Sequence, residues 1–184
     1  MTSQDQLKQD LDYITAAVRR NDRSGGLPVM YAFWAVAIAA GFALADFAPH
    51  IVGMYWLVAG IGGGLWSMWY ANRETRRRGI SNSEEGKRWG LNFLVGGIGW
   101  FAAALPMMTG KVSPEVGAPT FLLVTGLVYA LAGVHLDRPM LWSGLLALAG
   151  YAVMQLVPVP YVWTTTGVLM GLCLATAAVL TARR

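Results

Sequence analysis

Six times along this chain an almost unbroken apolar run approaches or reaches the length of about 20 residues that an α-helix needs to cross a hydrocarbon core. The runs cover residues 27–47, 51–71, 89–108, 116–134, 139–157 and 161–180. Polar and turn-forming residues fill the gaps. Pro49, Pro114, Pro119, Pro139, Pro158 and Pro160 all stand at or beside a gap. Proline suits the first turn of a helix and is disfavoured inside one, so these residues read as helix boundaries. The runs do not alternate apolar and polar positions, as the strands of a transmembrane barrel would. The pattern predicts an all-α fold: a polytopic integral membrane bundle of six transmembrane helices in three hairpins.

Residues 1–26 are polar and carry a different period. Leu7, Leu11, Ile14 and Val18 recur at helical spacing and form one apolar stripe. This predicts an N-terminal amphipathic helix, ended by "NDRSGG" as a linker. Its polar face holds Asp5, Asp10 and Asp12, which anionic lipid would repel. The stripe is therefore expected to pack against protein, either this chain's own cytoplasmic face or a soluble cytoplasmic partner. The first apolar run is too long for the core of a signal peptide, and no cleavable leader is expected.

Charge then orients the bundle. Only 13% of residues are charged and 55% are apolar, against about 25% charged in a usual soluble domain. The net charge of +4 does not indicate nucleic acid, because the basic residues lie between apolar runs. Residues 72–88 read as a basic loop that contains Arg73, Arg76, Arg77, Arg78, Lys87 and Arg88. Ser81 and Glu84 would form a capping box before the third run. If this loop is cytoplasmic, six spans place both termini inside as well. Lys111 is then the only one of the 14 Lys and Arg residues left outside. Basic residues beside span ends hold loops in the cytoplasm, so this orientation in a cell (inner) membrane is expected. A basic cluster of this size also attracts anionic lipid headgroups.

Candidate chemistry is sparse. The span interiors contain no Asp, Glu, Lys, Arg or His away from their ends, and ionisable groups at depth are what usually mark membrane enzymes and ion-coupled carriers. Asp46 and His50 sit one turn apart at one side and read as an exposed turn with a local hydrogen bond. His135, Asp137 and Arg138 form a similar group at the other side, about 30 Å away. Cys173 is the single cysteine. No catalytic residue, metal site or cofactor is expected. Asn92, Gln155, Thr125 and Thr165 would serve as interhelical hydrogen bonders, or as a polar lining for a small neutral solute.

Glycine is more informative. Gly60 and Gly64 form one GxxxG pair and Gly167 and Gly171 another, with a third small surface at Gly96–Gly99. Such faces let helix backbones approach closely within a bundle or between subunits. Trp and Tyr residues near the span ends form an interfacial belt, and Trp34, Trp66 and Trp100 lie deeper, as packing residues. The expected function is non-enzymatic: an accessory, scaffold or regulatory subunit of a membrane complex, or a homo-oligomer. It would act through helix packing and a basic cytoplasmic face. A small carrier or channel for a neutral or lipophilic solute is the first alternative, and a membrane-embedded enzyme the second.

Overall fold

The computed structural model describes residues 27–78 and 83–183, with Gln6, Gln9, Leu11 and Tyr13 of the N-terminal segment. The described chain is helical: α1 (Pro28–Phe47), α2 (Pro49–Arg78), α3 (Ser83–Met108), a single turn α4 (Pro114–Gly117), α5 (Pro119–His135), α6 (Pro139–Leu156) and α7 (Val162–Ala182). Six segments are long and apolar enough to cross a membrane, with α4 and α5 together forming the fourth. Proline opens five of the seven elements, as its fixed φ and missing N–H favour. Pro106 instead lies inside α3 near its end. Its carbonyl accepts the amides of Lys111 and Val112 at 2.9 and 3.2 Å, and Gly110 supplies the left-handed turn at φ 69°.

The basic segment is not the loop that its polarity predicts. α2 continues through Arg78 and α3 begins at Ser83, which leaves only residues 79–82 between them. The apolar pattern ends where the hydrocarbon would, but a helix has no need to stop there. Arg and Glu are good helix formers, and Lys87 pairs with Glu84 one turn away at 3.0 Å. With 30 residues, α2 is about 45 Å long. Ser81 of the expected capping box lies outside the described residues.

Four helices hold the core. Tyr31, Ile38 and Phe42 of α1 meet Leu122, Tyr129 and Ala132 of α5, Ala147 of α6, and Met170 and Leu174 of α7. The most extensive packing joins α1 to α7 and α5 to α6, not the predicted hairpin pairs. Helices buried in lipid gain little from merely hiding apolar surface, so backbone approach selects the contacts. A Cβ built on Gly133 would collide with the backbone of Leu141, and one on Gly144 with the backbone of Ala130. One on Gly126 would lie 2.7 Å from the Leu148 side chain. α5 and α6 therefore touch nearly backbone to backbone.

The helices follow one another in the spatial order α2, α1, α7, α6, α5, α3. Among the described residues, α2 packs only on α1, and α3 only on α5 and the short α4. Among the described residues, α2 and α3 make no contact, although four residues of chain join them. These two helices therefore leave most of their apolar surface uncovered by protein.

Candidate functional site

Polar contacts tie the core at both ends. At one end the carboxylate Oδ2 of Asp46, at the close of α1, accepts the backbone N–H of Thr164 at 2.7 Å and its hydroxyl at 2.6 Å. Thr164 is the third residue of α7, whose N-cap residue Tyr161 makes no side-chain cap. Asp46 thus caps α7 from another helix, where a negative charge also complements the helix dipole. At the other end the Tyr31 hydroxyl donates to Asp137. The expected local groupings are corrected by these bonds: Asp46 serves Thr164, while His50 and His135 are exposed. Among the described residues, no three His, Cys, Asp or Glu groups gather as a metal site.

At mid-depth the tryptophans satisfy hydroxyls. Trp34 Nε1 donates to Ser67 Oγ at 3.1 Å and Trp100 Nε1 to Thr125 Oγ1 at 3.0 Å, while Thr125 itself donates to the carbonyl of Phe121. The four residues expected as a polar lining do not share a place. Gln155 and Thr165 are exposed, near the Asp46 end of the bundle. Thr125 is engaged by Trp100. Asn92 lies toward the opposite end of α3. Its buried Nδ2 has no partner among the described residues, and neither has Ser143 Oγ. Asn92 and Ser143 stand on α3 and α6, which do not touch.

The glycine pairs separate cleanly. A Cβ on Gly167 would strike the Phe42 side chain, and one on Gly171 would fall 2.9 Å from the Ala35 carbonyl oxygen, so this pair seats α7 on α1. Gly96 and Gly99 face Val128 and Val124 of α5 at 3.0 and 3.1 Å. At Gly60 and Gly64 a Cβ would meet nothing within 4 Å. The same motif is filled in one helix and open in another. The α5–α6 glycines escaped the GxxxG pattern, although Gly126 and Ala130 are spaced as small residues four apart.

The basic cluster lies at the joined ends of α2 and α3. Arg73, Arg76, Arg77, Lys87 and Arg88 are exposed; of Arg78, only its place at the end of α2 is described. The Arg73 guanidinium lies over the Trp69 ring, 5.3 Å from its centroid. Of the N-terminal stripe, Leu11 alone is described. It is 55% exposed. Leu7, Ile14 and Val18 lie outside the described residues. In comparisons with protein-family models, curated proteins and solved structures, no match to this chain is found.

Proposed function

We propose that this chain is a non-enzymatic accessory, scaffold or regulatory subunit of a cell (inner) membrane, with both termini cytoplasmic, that packs α2 against a transmembrane helix of another subunit. One observation carries this proposal. Among the described residues α2 has a single neighbour, and its Gly60–Gly64 face is empty while the equivalent Gly167–Gly171 face is filled by α1. Four glycines with open space around them (Gly53, Gly60, Gly62 and Gly64) stand in this helix. Each glycine in a helix interior costs about 1 kcal/mol relative to alanine, a cost that close helix approach offsets. Replacing Gly60 and Gly64 with Leu is expected to leave unfolding unchanged and to abolish association. Native electrophoresis of gently solubilised membranes reads this directly. Wild-type protein should migrate in a larger complex and the double variant alone. A wild-type chain that migrates alone at native abundance overturns the proposal. A carrier for a neutral solute is the weaker reading, because Asn92, Thr125, Thr165 and Gln155 are scattered.

The orientation rests on the basic asymmetry, with Lys111 alone at the far end. In a Cys173→Ser background, a cysteine at Lys111 is expected to react with an impermeant maleimide added to intact cells, and one at Arg77 only after lysis. Labelling at Arg77 from outside would reverse the assignment.

A further inference from the structure

We infer that the joined ends of α2 and α3 bind a single anionic phospholipid, held by its phosphate. Val58, Leu65, Trp69, Arg73 and Arg76 lie on one face of α2 at helical spacing, and all are exposed. α1 packs on a different side of the helix, where Gly63 and Ser67 meet Phe33 and Trp34. From Val58 to Trp69 the apolar part of the stripe rises about 17 Å. That matches one leaflet, half of a hydrocarbon core of roughly 30 Å. An acyl chain laid along it would bring its headgroup to Trp69 and the arginines that follow.

Arg73 is already arranged for this role. The Arg73 guanidinium carbon lies over the Trp69 ring, and the planar fork of N–H donors that a guanidinium carries suits a phosphate bidentately. Arg76 follows within one turn. Five residue steps separate Arg78 from Ser83, so the start of α3 lies within roughly 18 Å and brings Lys87 and Arg88 to the same end. Lys87 is partly neutralised by Glu84, and Glu74 on α2 is half-buried and engaged. Arg73 and Arg76 are therefore the principal contacts. An acidic soluble protein would use the charges but not the apolar stripe, and a free phosphate would need no stripe at all. The inference rests on the membrane reading above. It does not rest on the Gly60–Gly64 contact, which uses the opposite flank of α2.

The test is lipid retention by the purified full chain, read by native mass spectrometry after exchange from vesicles of phosphatidylglycerol or of phosphatidylcholine. Wild-type protein should hold one phosphatidylglycerol in clear preference. Arg73→Ala with Arg76→Ala should weaken retention roughly thirtyfold, the effect of two basic residues at a membrane surface. Arg73→Lys, which keeps the charge but loses the fork, should fall between. Lys111→Ala and Gly60→Leu with Gly64→Leu should retain the lipid as wild type does. Equal retention of phosphatidylcholine by the wild type, displacement by millimolar inorganic phosphate, or an unchanged arginine double variant would each overturn the inference. Loss of the native complex on the Gly60 and Gly64 changes, with lipid still bound, separates this site from the subunit contact.

Discussion

Leucine in place of Gly133 is expected to prevent the bundle from assembling. The first atom of any side chain at this position collides with the backbone of Leu141. A flexible side chain could yield, but backbone inside a helix cannot. α5 and α6 would have to separate, which also opens the contacts of Gly144 on Ala130 and Gly126 on Leu148. Ordinary overpacking costs roughly 1–3 kcal/mol. Here the loss should be larger, because two whole helices move and not one rotamer. The variant should give no monodisperse protein in detergent, whereas Gly60→Leu, which meets no neighbour within 4 Å in this chain, should still fold and unfold at the wild-type temperature. Size-exclusion profiles and thermal unfolding followed by Trp fluorescence decide it. A monodisperse Gly133→Leu protein that unfolds at the wild-type temperature would mean that α5 and α6 are not packed this closely.

Alanine in place of Asp46 should give the second-largest effect. Asp46 satisfies both the amide and the hydroxyl of Thr164 in the first turn of α7, across the most extensive helix contact among the described residues. Hydrogen bonds to a charged group contribute about 1.5–3 kcal/mol, and their loss leaves the amide without its acceptor. A destabilisation of about 2–3 kcal/mol is expected on that basis. Asp46→Asn keeps an acceptor but no charge and should cost less. Thr164→Val removes the hydroxyl alone and should also cost less than Asp46→Ala. His50→Ala should be silent, since His50 is exposed and the carboxylate serves α7. Thermal unfolding of the four variants gives the order. Equal unfolding of Asp46→Ala and wild type would remove Asp46 from the α1–α7 joint.

What sequence alone determined here is the set of spans. Transfer of a helix into hydrocarbon adds up residue by residue, so it is written locally. α1 matches the predicted 27–47 to within one residue, and α6 and α7 end within about two residues of their predicted limits. The same local rule misplaced the C-terminal end of α2 and the start of α3, because hydropathy reports where lipid stops and not where helix stops. Pairing is different in kind. Asp46 has His50 four residues away, yet its partner Thr164 lies 118 residues along the chain. Gly60–Gly64 and Gly167–Gly171 are the same motif, and nothing local distinguishes them. Only the tertiary structure decided that one is filled by Ala35 and Phe42 while the other stays open. The reason is physical: close packing depends on the shape that a second, distant segment presents, and that shape exists only once both helices are in place.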